Sequence, residues 1–327
     1  MHEIKTKYID NITGDYNNNF CMFKSQCYLN GVTYSCERIN KNGKNCLYFK
    51  RDDLESYREY GLDIEGEDPR IVILNQEVYV VFICISPYKN QNRCISITNF
   101  NEWNPRFLQI ENMEKKLIEK NWAPFVKDNK LYFVYNYDPL VIIHYDFNQD
   151  GICNVVFKQE NCNLSFDTSK TYLRGGSNLI QYKDEYYIGG CHSRIKKDIF
   201  EHYTHIILLN TNNWELVYVS KPVLYNYNLT DKLNVLNERW ISYGKKKLDT
   251  VNNILIDKSP NIIQDPISLY VKDDKYYITI NVRDCVSLLY EIEFDNLFNF
   301  ITTNKAIGYY DNYIKEIITN FSNNFIV

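Results

Sequence analysis

No excess of positive charge appears in this sequence of 327 residues: 37 Lys and Arg stand against 41 Asp and Glu, a formal net charge of −4. Without a basic surplus to gather a phosphate backbone, generic nucleic-acid binding is disfavoured, although local anion sites are still compatible with such a chain. Long apolar runs are also missing. No segment approaches the roughly 18 apolar residues of a membrane span, and the start, Met1-His2-Glu3-Ile4-Lys5, lacks the apolar stretch of a signal peptide. The expectation is a cytoplasmic chain without a membrane span. Gly-x-Gly-x-x-Gly, the phosphate-binding loop and the Asp-x-Asp metal pair do not occur. The 10 cysteines are scattered, and Cys84, Cys94 and Cys191 lie inside apolar, strand-like runs. Cys21, Cys27, Cys36 and Cys46 lack the short Cys-x-x-Cys bite that zinc sites use. No cofactor and no metal is expected, and the thiols read as mostly reduced and buried.

Aromatics are abundant, with 29 Tyr and 17 Phe, a composition suited to pleated strands. They recur in a phrase made of a polar turn followed by an aromatic strand. Copies lie at Leu74-Asn75-Gln76-Glu77-Val78-Tyr79, Val126-Lys127-Asp128-Asn129-Lys130-Leu131-Tyr132, Tyr182-Lys183-Asp184-Glu185-Tyr186 and Val271-Lys272-Asp273-Asp274-Lys275-Tyr276. A degenerate copy lies at Tyr28-Leu29-Asn30-Gly31-Val32. Each reads as a hairpin turn entering a strand, and a second apolar hairpin follows each. Tyr79, Tyr132 and Tyr186 are spaced by 132 − 79 = 53 and 186 − 132 = 54, whereas 276 − 186 = 90 leaves room for a loop or helical insertion at about 225–258. Two hairpins make one four-stranded sheet, so the repeat predicts an all-β, five-bladed β-propeller with a central funnel, as a single domain over 1–327. Two stacked β-sandwiches are the alternative, because alternation alone does not separate the two. The near-constant interval favours blades.

Two segments carry candidate chemistry. Glu67-Asp68-Pro69-Arg70 follows Gly66 and directly precedes the apolar strand Ile71-Val72-Ile73-Leu74, which puts two carboxylates and a guanidinium at a strand entrance. In a propeller that is the funnel rim, where a carboxylic acid screened from water serves as a general acid. In Arg174-Gly175-Gly176-Ser177 the glycines permit close backbone approach to a ligand, and the arginine offers a planar fork for phosphate or carboxylate. Each has a plain structural reading as well, a charged turn stopped by proline and a Gly-Gly turn.

Glu67-Asp68-Pro69-Arg70 resembles the signature of glycoside hydrolase family 130, the β-mannoside phosphorylases and hydrolases, which are five-bladed propellers. The resemblance implies that Asp68 is the general acid and that Glu67 and Arg70 contact the sugar. Glu37-Arg38 resembles the family's Tyr-Arg, implying a sugar contact by Arg38, with Glu in place of Tyr. Glu119-Lys120-Asn121-Trp122-Ala123-Pro124-Phe125 is similar to the lysine-containing segment that opens the third blade, which offers Lys120 to phosphate and Asn121 and Trp122 to the sugar. Cys191-His192-Ser193, with Tyr203 eleven residues beyond the histidine, resembles the family's phosphate-touching His and Tyr. Ile280-Asn281-Val282-Arg283-Asp284-Cys285 resembles the family's Tyr-Gly-x-x-Asp at the end of the last blade's inner strand, which implies that Asp284 is an acceptor for a sugar hydroxyl.

At Tyr135-Asn136-Tyr137-Asp138-Pro139 the family's proline is kept, but its phosphate-holding arginine is absent. Losing a fixed cation weakens a phosphate site by about 1.5–3 kcal/mol per charge-assisted bond, unless Arg174, Arg194 or Lys120 supplies the charge. The related mannosyltransferases of glycosyltransferase family 108 share the propeller and suit this pattern. The resulting expectation is inverting mannosyl transfer between a sugar phosphate or nucleotide sugar and an oligosaccharide, by transferase or phosphorylase action. Asp138 joins Arg38, Glu67, Arg70, Asn121, Trp122 and Asp284 in holding sugar, while Lys120, Arg174, His192, Arg194 and Tyr203 hold phosphate. One alternative is an inverting hydrolase, with Glu67, Asp138 or Asp265 as the base that activates water. Another is a catalytically silent glycan-binding propeller.

Overall fold

The structure, a computed structural model, describes residues 4–12, 15–16, 19–41, 44–54, 58–60, 65–160, 171–196, 200–220, 223, 263–282 and 286–294. Its ordered elements are strands, beginning with β1 (Lys5–Asn11). Blade one contains β2 (Asp15–Tyr16), β3 (Asn19–Leu29), β4 (Val32–Lys41), β5 (Lys44–Arg51) and β6 (Arg58–Tyr60). Blade two is β7 (Gly66–Leu74), β8 (Glu77–Ile85), β9 (Arg93–Asn99) and β10 (Arg106–Ile110). Blade three is β11 (Ala123–Lys127), β12 (Lys130–Tyr137), β13 (Leu140–Tyr145) and β14 (Ile152–Lys158). Blade four holds β15 (Thr171–Arg174), β16 (Leu179–Lys183), β17 (Tyr186–Lys196), β18 (Phe200–Asn210) and β19 (Glu215–Val219). Blade five holds β20 (Gln264–Lys272), β21 (Lys275–Val282) and β22 (Val286–Glu293), and β1 completes it by pairing antiparallel with β22.

The repeated phrase is the hairpin from the innermost strand to the second strand of each blade. At those tips Asn30-Gly31, Asn75-Gln76, Asp128-Asn129 and Asp273-Asp274 all have positive φ at both residues, and Asp184 has it in blade four. Two consecutive left-handed residues give the turn whose twist matches paired strands, and Asn, Asp and Gly tolerate that conformation best. The degenerate first copy therefore belongs to the same series. The expected insertion at about 225–258 lies outside the described residues.

Neighbouring innermost strands meet in a closed ring: β3 with β7, β7 with β11, β11 with β16, β16 with β20, and β20 with β3. They are too splayed to share ladders, so side chains take over the bonding. Ser25 Oγ accepts from Ile71 N at 3.0 Å, Ser268 Oγ accepts from Gln26 N at 2.9 Å, and Asn178 both donates to and accepts from the Leu269 backbone at 2.9 Å. Apolar clusters fill the gaps between blades, among them Phe125 with Leu179 and Tyr187 between the third and fourth, and Ile206 with Leu269 between the fourth and fifth. All eight described cysteines are buried thiols, as the sequence suggested.

Candidate active site

Asp68 sits on a β-bulge. The β7–β8 register shifts between Glu67 and Arg70, and Asp68 takes a φ of +48°. Pro69 has no N–H to lose from the ladder, so the irregularity falls where a ladder bond is already missing. Strain of this kind persists where surrounding contacts hold it in place. Here two arginines do so. Arg38 Nη1 lies 3.0 Å from Asp68 Oδ1, and Arg70 Nη1 donates to the Asp68 carbonyl at 2.9 Å. Arg38 is held in turn by Met22 Sδ and by the Phe23 ring, 4.5 Å beneath its guanidinium. Burial lowers the Arg70 pKa, offset in part by the charges of Asp68 and Asp265, and its Nε donates to the Gly176 carbonyl. The Asp68 side chain keeps 18% of its surface exposed, so the carboxylate is both fixed and reachable.

Glu67 is engaged elsewhere, accepting from Asn45 Nδ2 at 3.0 Å and Arg93 Nη2 at 3.2 Å. Across the ring, β20 opens with Gln264-Asp265-Pro266, a second Asp-Pro start whose register also shifts, between Pro266 and Ser268. Asp265 Oδ1 lies 3.0 Å from His202 Nδ1 and 3.2 Å from His192 Nδ1. The two imidazoles stack at 4.7 Å. Burial would raise the Asp265 pKa, but His192, His202 and Arg70 more than offset it and hold the group at about 2. Burial, with help from His202, Arg174 and Arg70, pushes His192 down to about 3. At neutral pH this is an ionised carboxylate beside a neutral imidazole.

A cleft of about 500 Å³ adjoins this region, lined by Lys116, Lys120, Asn121, Asp138, Arg174 and Arg194 among others. Asn136 lines it as well. Three of the expected phosphate ligands, Lys120, Arg174 and Arg194, therefore share one concavity with Asn136, near which the resemblance expects an arginine. The glycines after Arg174 have a different use from the one expected. A Cβ on Gly175 would fall onto the Asn121 carbonyl, and one on Gly176 would meet the Gly190 carbonyl and Pro266, so they allow blades rather than a ligand to approach.

Two expected contacts lie in the core. Trp122 is 1% exposed, packs on Phe133 and Tyr135, and donates to Glu119 Oε2 at 3.1 Å, so it offers no face to a sugar. Tyr203 is 1% exposed within the cluster between blades three and four. Strand alternation explains the second displacement. In the β17–β18 register His192 opposes Thr204, Ser193 opposes Tyr203 and Arg194 opposes His202. His192, Arg194 and His202 thus share one face, and Tyr203 points to the other. His202 is the partner that spacing alone missed by one residue. Asp284 lies outside the described residues.

The family described as β-mannosyltransferases matches residues 60–208, which include the Asp68 bulge, the cleft and the histidine pair. The chain is similar to the β-mannosyltransferases. β-Mannosyltransferase 3 of Candida albicans is 29% identical over 247 residues, 67% of this chain and 41% of that protein. The chain thus spans well under half the length of this curated relative. Three solved structures share the fold. A glycosyl hydrolase from Bacteroides ovatus aligns with TM-score 0.57 at 9% identity, over 90% of this chain and 94% of its own. A structure from family 130, mannoside phosphorylases that include glycoside hydrolases targeting β-1,2-mannosidic linkages in Candida mannan, aligns with TM-score 0.52 at 10% identity, covering 90% and 94%. MPT-1, a GDP-Man-dependent mannosyltransferase from Leishmania mexicana, aligns with TM-score 0.50 at 10% identity, covering 89% and 91%. The all-β propeller expected from the repeat is the fold these structures share.

Proposed function

We propose that this chain is a catalytic propeller for inverting β-mannosyl transfer, with Asp68 as the proton-transferring group and a phosphate-bearing mannose donor in the adjacent cleft. The observation that carries the reading is Asp68 itself, a partly exposed carboxylate held on a strained bulge between Arg38 and Arg70. A group positioned this way takes the acceptor hydroxyl's proton as mannose transfers, and in the reverse direction returns it to the inter-sugar oxygen. Lys120, Arg174 and Arg194 neutralise the departing phosphate, supplying the charge that Asn136 does not. A cleft of about 500 Å³ fits a nucleotide sugar as well as a sugar phosphate. The similarity to β-mannosyltransferases and the GDP-Man dependence of MPT-1 favour transfer from a nucleotide sugar over phosphorolysis.

The test incubates the chain with GDP-mannose or mannose 1-phosphate and a mannooligosaccharide acceptor, with and without inorganic phosphate. Phosphate-independent elongation is expected, and Asp68→Asn is expected to lower it by about 10²–10⁴-fold while leaving the circular dichroism spectrum unchanged. Undiminished turnover in Asp68→Asn would remove the assignment.

A further inference from the structure

His192 is 3% exposed, and neither ring nitrogen makes a hydrogen bond. Buried polar side-chain atoms in folded proteins are nearly always bonded, and one left without a partner asks for a ligand to explain it. Its Nδ1 is 3.2 Å from Asp265 Oδ1 without the alignment of a hydrogen bond, and His202 Nδ1 approaches the same oxygen at 3.0 Å. The donor atoms of the three side chains all lie within 4.8 Å of one another. Donors around a tetrahedral first-row ion, at bond lengths of roughly 2.0–2.2 Å, are separated by roughly 3.3 Å. The two carboxylate–imidazole separations are therefore close to the edges of such a coordination shell.

We propose that His192, His202 and Asp265 form a binding site for a divalent transition-metal ion. Two imidazoles and one carboxylate suit zinc, cobalt or nickel, whereas magnesium and calcium prefer all-oxygen shells. His202 and Asp265 keep 19% and 15% of their side chains exposed, which provides an entry path and an open fourth position for water or a ligand oxygen. Positive charge from Arg70 and Arg174 reaches the same group and opposes a bound cation. That opposition makes the site distinguishable from an anion site built on the same residues. The inference stands apart from mannosyl transfer and is tested without it.

Chelator-treated protein is titrated with Co²⁺, followed by visible d–d absorption, and with Zn²⁺ by calorimetry. One equivalent is expected to bind, with a tetrahedral cobalt spectrum. His202→Ala and Asp265→Asn are each expected to weaken binding at least tenfold, with folding checked by circular dichroism. Arg174→Gln, on the cleft wall, is expected to tighten metal binding because it removes a repelling charge. Absence of saturable binding, binding unchanged in the His202 and Asp265 variants, or weaker binding in Arg174→Gln overturns the proposal. So does uptake of inorganic phosphate, instead of metal, that is lost in those variants.

Discussion

At the scale of single residues, burial decides protonation. His205 is fully buried, with Nδ1 2.8 Å from the Ser220 carbonyl and Nε2 2.8 Å from Ser193 Oγ. A carbonyl only accepts, so Nδ1 carries the proton and Nε2 accepts from the serine. Protonating Nε2 would reverse that bond and place a charge inside the core, and burial lowers the His205 pKa to about 4, partly offset by the Ser220 carbonyl. The folded state then binds fewer protons than the unfolded state between roughly pH 6.5 and 4, so stability falls as pH drops through that window. His205 alone accounts for up to about 3 kcal/mol of the loss. His192, lowered to about 3, extends the loss to lower pH. Urea unfolding measured from pH 7.5 to 4 is expected to show this slope, and His205→Gln is expected to flatten it. An unchanged slope in the variant would contradict the assignment of the slope to His205.

Elements show how the ring is stitched. Innermost strands of adjacent blades face each other without a shared ladder, and Ser25, Asn178 and Ser268 supply the missing partners. Asn178 matters most because one side chain satisfies both backbone groups of Leu269. Asn178→Ala strands a buried donor and a buried acceptor, and is expected to cost about 2–4 kcal/mol in chemical unfolding. Asn178→Asp keeps the acceptor and is expected to cost less. The hairpin tips at this scale were legible in sequence, because Asn-Gly, Asp-Asn and Asp-Asp pairs mark the left-handed turn directly. The bulges were not. Glu67-Asp68-Pro69 and Gln264-Asp265-Pro266 look like ordinary Asp-Pro turns, and only the register shows that Asp68 drops out of the ladder with β8 whereas Asp265 stays paired with Asn281, the shift against β21 coming after Pro266.

For the whole molecule, closure depends on β1, which supplies the outer edge of blade five and packs Tyr8 edge-on against Tyr290. A propeller protects its sheet edges through the ring, so an incomplete last blade exposes an unpaired strand. Deleting residues through Asn11 is expected to lower the thermal midpoint by several degrees and to promote association at micromolar concentration, measured by calorimetry and light scattering. A deletion variant that remains monomeric and equally stable would show that β1 is dispensable for closure.

The sequence by itself determined the blade count, the hairpin tips and the position of Asp68 at the entrance of an innermost strand, since each is local pattern repeated at an interval. It also marked Lys120, Arg174 and Arg194, which line one cleft. Tertiary structure alone decided which side chains meet. Tyr203 went to the core because the pleat turns alternate residues inward, and Trp122, just before β11, because the interface between blades two and three takes its ring. His192 and His202, on paired strands of blade four, came to share Asp265 from blade five because β18 reaches the start of β20 through the His202–Ile263 bridge. Contacts such as that of His202 with Asp265, 63 positions apart, depend on where a closed ring puts its strand ends, and no local spacing encodes that. Asp68 and Arg70 were visible together in one turn, and Arg38, on the neighbouring blade, meets Asp68 only through the fold.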